Sequence, residues 1–126
     1  MIDHVSIAVR DLEASAAFYE SVLAPLGLKK LVTRPASIGF GMNYPEFWLN
    51  RRPALAKGDQ GTGHHVCLRA PDETAVRAFH AATLARGGAD AGAPGPRQAA
   101  MTTYFGAFIF DLDGNKIEAI TFPPKS

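Results

Sequence analysis

Apolar and polar residues alternate at the start of the chain. Val5, Ile7 and Val9 fall on one side and His4, Ser6 and Ala8 on the other, which predicts a half-buried strand over residues 2–9. The period then lengthens. Ala14, Phe18 and Val22 form one helical stripe, so a helix is predicted from its cap, Asp11, to about Ala24, where Pro25 and Gly27 end it. Short strands follow at about 29–33, 37–42 and 46–50. The same order then returns. Val66 and Leu68 alternate with His65, Cys67 and Arg69, and Asp72 caps a helix over about 73–86 that Gly87 and Gly88 stop. A weak strand near 89–91 precedes strands at 103–110 and 116–122, the last two joined by Asp113-Gly114, a strong hairpin signal. Residues 92–101, rich in Gly and Pro, read as a loop long enough to carry function.

The return is an internal repeat. Displacing the chain by 61 positions lays residues 4–27 on 65–88 with nine identities, among them His4 on His65, Asp11 on Asp72, Phe18 on Phe79 and Gly27 on Gly88. A period of half the chain predicts two copies of one βαβββ unit in a single α+β domain. Module one covers about residues 1–52, a linker about 53–63, and module two about 64–122.

Composition narrows the function classes. At 126 residues the chain makes one compact domain, and its 47% hydrophobic and 20% charged residues exclude a disordered or fibrous protein. No apolar run approaches the ~20 residues that cross a bilayer. Met1–Asp11 has neither a basic start nor a continuous apolar stretch, so no signal peptide is expected. A net charge of +1 leaves no electrostatic footprint for nucleic acid or an anionic membrane. The single cysteine excludes an internal disulfide and fits a reducing, cytoplasmic compartment. What remains is a small domain whose function must come from a site.

Symmetry singles out the chemistry. His4 and His65 begin equivalent strands on the face away from the helices, and two such imidazoles facing each other across a cleft make a plausible metal pair. The alternative is that each caps a strand end. Glu118, in an otherwise apolar strand, needs a partner if it is buried, and a metal would supply one. It also reads as an outward edge residue, because Lys116 shares its face. Together the three residues compose a two-histidine, one-carboxylate set that leaves three positions open on an octahedral ion.

The segments Ile2-Asp3-His4-Val5, Asp11-Leu12 with Phe18-Tyr19, Gly63-His64-His65-Val66 and Asp111–Glu118 resemble the glyoxalase, bleomycin-resistance and extradiol dioxygenase group, the vicinal oxygen chelate superfamily. The resemblance spans nearly the whole chain. It implies two modules joined as a curled eight-stranded mixed sheet around a cleft. It places His4, His65 and Glu118 at the ligand positions of a divalent ion, Fe, Mn, Ni or Zn. A fourth ligand position, Glu in glyoxalase I, falls on Trp48, which cannot ligate. The three-ligand pattern is similar to that of the extradiol dioxygenases, with Tyr104 as the equivalent of their catalytic tyrosine.

The implied function is a metal-dependent, dioxygenase-like enzyme acting on a substrate chelated through vicinal oxygens. As a Lewis acid the ion would stabilise an enolate or catecholate, or activate dioxygen if it is Fe(II). Two alternatives stand beside it: a metal-free protein that sequesters a ligand or drug, and a glyoxalase-like lyase, isomerase or thiol transferase. A homodimer is expected from family members of this size. Phe40, Trp48, Tyr104 and Phe108 compose an aromatic pocket wall or else simply core, and Arg97 clamps a substrate anion or else stays solvated. Cys67 shares the face of His65, as a cavity liner or a small buried hydrophobe. His64 points away from that face, and His80 is a surface or packing residue on the second helix.

Overall fold

The structure is a computed structural model that describes residues 1–56 and 62–123. Module one runs β1 (Val5–Val9), α1 (Leu12–Leu23), a 3-10 turn (Ala24–Leu26), β2 (Lys29–Thr33), β3 (Ser37–Gly41) and β4 (Phe47–Arg51). Module two runs β5 (Val66–Arg69), α2 (Glu73–Ala85), β6 (Ala89–Gln98), β7 (Thr103–Phe110) and β8 (Lys116–Thr121). Asp11 and Asp72 cap the helices as expected. Each carboxylate accepts from the backbone N–H three residues on, of Ala14 at 3.0 Å and of Ala75 at 2.8 Å. Gly27 ends the first helical segment at φ +84°, a conformation that costs a residue with a Cβ.

The strands form two separate four-stranded sheets, ordered β1-β4-β3-β2 and β5-β8-β7-β6. Each has one parallel pair, β1 with β4 and β5 with β8, and is otherwise antiparallel. The topologies are identical, as the repeat requires. The expected single eight-stranded curled sheet is not formed. Its joining edge is taken: the turn before β8 packs on the end of β1, and Asn115 Nδ2 donates to the Ala8 carbonyl at 3.0 Å. A side chain there satisfies backbone that a ladder would otherwise need.

The modules meet through side chains instead. Helices α1 and α2 pack on each other, and one apolar cluster takes in both. It joins Phe18, Val22, Phe47 and Leu49 of module one to Val76, Phe79, Ile109 and Ile117 of module two. Phe40 belongs to it. Opposite Phe47 in the β3–β4 pairing, Phe40 is fully buried with its ring 6.4 Å from that of Tyr19, so it is core rather than pocket wall.

A second departure lies in residues 92–101, expected as a loop. Residues 89–98 form β6 and pair with β7 as far as Gln98 opposite Thr103, with register shifts between Asp90 and Gly95. β6 is the outermost strand of its sheet, where Pro94 and Pro96 remove no obligatory ladder bond. The middle of the expected linker, residues 57–61, lies outside the described residues.

Candidate functional site

Strand parity puts one face of each sheet on the helices and leaves the other open. On the module-two open face, Cys67 lies opposite Glu118, and Glu118 opposite Phe108. Glu118 is buried, with 4% of its surface exposed, and its neighbours supply the partners that burial demands. Tyr104 Oη donates to Oε2 at 3.1 Å, and His65 Nε2 stands 3.2 Å from Oε1. Burial and the carboxylate it bonds hold the Tyr104 phenol above its ordinary pKa, so Tyr104 remains a donor. Desolvation, with the nearby Glu118 charge, pushes the Cys67 thiol up to about 12. Cys67 is exposed on this face rather than a buried hydrophobe. Phe108 lies between His65, at 5.4 Å ring to ring, and the Lys116 ammonium, 4.7 Å from its centroid. Tyr104, His65, Glu118 and Phe108 are thus brought together. Arg97 pairs opposite Tyr104, but its guanidinium folds back onto the Ala93 carbonyl at 2.6 Å and lies at the border of this group.

The open face of module one carries different chemistry at matching places. Ser6 lies opposite Trp48 as Cys67 lies opposite Glu118, so Trp48 occupies the position of the module-two carboxylate. On the next strand Gly39 stands where module two has Phe108. A cavity of about 320 Å³ opens here, lined by His4, Ser6, Arg34, Ser37, Trp48 and Asn50 among others. His4 Nδ1 is 2.7 Å from Asp3 Oδ2, which also accepts from Tyr44 Oη at 3.1 Å. These two bonds hold the Asp3 carboxyl below its usual range. A second cavity, of about 430 Å³, lies at the seam, where Ser6 and Ala8 of β1 meet His64, His65 and the Asp113–Lys116 turn. His64 therefore reaches a cavity after all. A further cavity, of about 730 Å³, lies between the start of α1 and β2 and shares Arg34 with the His4–Trp48 cavity.

His4 and His65 line different cavities. Among the described residues no three His, Cys, Asp or Glu side chains converge as a metal centre requires. His65 and Glu118 are together and His4 is apart, so the donors of one chain do not fit the expected three-ligand ion.

Two further sets of residues were not legible in the sequence. Asp111, Asp113 and Asn115 tie the modules together: Asp111 accepts from Tyr19, Asp113 from Arg10 Nε at 2.9 Å, and Asn115 donates to Ala8. The other is Arg34, which stands over Trp48, itself read from the sequence as a pocket aromatic.

The model of the Glyoxalase/Bleomycin resistance protein/Dioxygenase superfamily matches residues 1–119. The chain belongs to this superfamily. A glyoxalase/bleomycin resistance protein from Albidiferax ferrireducens is 31% identical, with a TM-score of 0.84 over 94% of this chain and 97% of that one. A glyoxalase/bleomycin resistance protein/dioxygenase family enzyme from Burkholderia phytofirmans is 18% identical, with a TM-score of 0.73 over 97% and 98%. A glyoxalase/dioxygenase from Nostoc punctiforme is 20% identical, with a TM-score of 0.72 over 98% and 92%. The last two likenesses are of fold alone. No curated protein matches the chain significantly.

Proposed function

We propose that this superfamily member binds a small organic molecule on the open faces of its sheets and sequesters it, in the manner of the bleomycin-resistance type. The observation that carries the reading is the separation of His4 from the His65–Glu118 pair, beside open cavities lined with aromatic, hydroxyl and cationic groups. Such a lining recognises a ligand without needing to transform it. We place the protein in a reducing, cytoplasmic setting on the strength of its lone free thiol.

A second reading has its own support. The His65–Glu118 pair, with Tyr104 as donor, supplies two ligands and a proton source toward one point. In a homodimer, the His4-bearing face of a second copy would add the third donor, for an Fe, Mn, Ni or Zn ion and dioxygenase- or glyoxalase-like chemistry. Metal analysis of protein purified without chelator separates the readings, together with thermal melts in Fe(II), Mn(II), Ni(II) and Zn(II). The sequestering reading expects no stoichiometric ion and no rise in Tm. A bound ion in a species of twice the 13.5 kDa chain mass by light scattering would replace it with the enzyme.

A further inference from the structure

We propose that the open face of module one is a slot for a planar aromatic ring bearing an acidic group, with Trp48 as its platform and Arg34 as its anion clamp. The inference rests on the small-molecule reading above and names its ligand class. It starts from a missing side chain. A Cβ at Gly39 would meet Trp48 Cζ2 at 3.0 Å, Trp48 Cδ2 at 3.1 Å and Pro45 Cβ at 2.9 Å. Nearly equal approach to two atoms of the six-membered ring means that the indole lies across the glycine backbone. Only glycine leaves room for it. Module two has Phe108 at the equivalent place, and there the neighbouring position holds a carboxylate.

Above the indole stands a cation. The Arg34 guanidinium carbon is 5.2 Å from the ring centroid, within cation–π range. Among the described residues it forms no ion pair, so its donor fork remains available for a carboxylate. The remaining lining is Ser6, Ser37, Asn50, His4, Tyr44 and Pro45, which contains no acidic side chain. Where module two centres on an anion, module one centres on a π-surface and a positive charge. A ring stacking on the indole beside the guanidinium gains a π-face, and its carboxylate meets the fork and the neighbouring hydroxyl and amide donors. The 320 Å³ cavity is at the lower end of small-ligand pockets and suits one or two fused rings.

Trp48 is the only tryptophan in the chain, so its indole N–H gives one signal in a ¹H–¹⁵N spectrum. The test titrates 2-naphthoate into the full chain with chelator present, which keeps the outcome independent of any metal. Cyclohexanecarboxylate serves as the non-planar anion and 2-naphthylmethanol as the neutral ring. The expected result is a saturable shift of the Trp48 signal with 2-naphthoate, and binding at least about tenfold weaker for each control. Arg34→Gln should erase the preference for naphthoate over the neutral ring, and Trp48→Leu, followed by calorimetry, should abolish measurable binding of both. Equal binding of cyclohexanecarboxylate, or an unchanged preference in Arg34→Gln, would overturn the proposal. Saturable binding that moves signals around Tyr104 but not Trp48 would overturn it while sparing the small-molecule reading. A stoichiometric metal found by analysis would do the reverse, removing sequestration and leaving the slot.

Discussion

Tyr19 of the first helix donates its hydroxyl to Asp111, 92 residues further along the chain, at 2.6 Å. The bond crosses from one module to the other, and both residues are buried. Asp111 also accepts from the backbone N–H groups of Asp113 and Asn115, so one carboxylate shapes the turn and fastens it to α1. Burial raises the Asp111 pKa, a shift that the Tyr19 bond opposes.

Tyr19→Phe keeps the ring contacts and removes only this donor. The expected loss is about 1.5–3 kcal/mol, typical of a hydrogen bond to a charged group, read as a lower urea midpoint at unchanged m-value. The Asp111 carboxyl should also titrate higher in the variant than in the wild type, by carbon-detected NMR. An unmoved midpoint would mean that the contact is incidental to stability.

Gly27 and Gly88 align in the repeat yet serve different needs, and substitution should tell them apart. A Cβ at Gly88 would meet Thr83 Cγ2 at 2.6 Å, the Phe110 carbonyl at 2.8 Å and Phe18 Cε1 at 2.9 Å. Gly88→Ala should therefore destabilise by roughly 2–3 kcal/mol through overpacking. At Gly27 the nearest atom is Met42 Cε at 3.8 Å, and only the φ of +84° is at issue. Gly27→Ala should cost about 1–2 kcal/mol. Thermal melts of the two variants side by side decide it, and a larger loss at Gly27 would contradict the packing argument.

His80 on α2 meets Asp90 on the edge strand at 2.7 Å, and Asp90 also accepts from the Gly92 N–H. These bonds hold the Asp90 carboxyl below the usual carboxylate range. A depressed carboxyl stabilises the fold above its unfolded pKa, and the contribution is lost as pH falls through the folded value. Asp90→Asn should thus melt below the wild type near neutral pH, and the gap should close as the pH falls below about 4 and through the lowered folded value. A gap that stays constant over that range would show that the charge plays no part.

The two neighbouring histidines give a sharp comparison. His65 touches Glu118 while His64 does not, so any divalent ion that raises Tm acts through His65. His65→Ala should abolish such a rise and His64→Ala should retain most of it. The reverse would assign the site to the seam cavity that both residues line.

Much of the fold was legible because periodicity and capping report local structure. The two Asp caps, the helix stripes and the duplicated order of elements all follow from residues that choose their conformation within a few positions. What the sequence hid was tertiary. Phe40 looks like a pocket aromatic until its pairing with Phe47 turns it toward α1. Pro94 and Pro96 argue against a strand until β6 proves to be an edge. The equivalence of His4 and His65 suggested that they meet, but the repeat specifies how each module is built and not how the two are docked. That docking is set by Tyr19, Arg10 and Asn115, whose partners lie some 90 to 107 residues away.

The absence of a shared ladder between the sheets also bears on how such a protein changes over generations. Each half keeps its own hydrogen-bond register, so a mutation on one open face leaves the backbone of the other undisturbed. Either half of the repeat is therefore free to change its chemistry on its own. Trp48 and Glu118, at corresponding places on β4 and β8, show the same scaffold carrying different chemistry in its two halves.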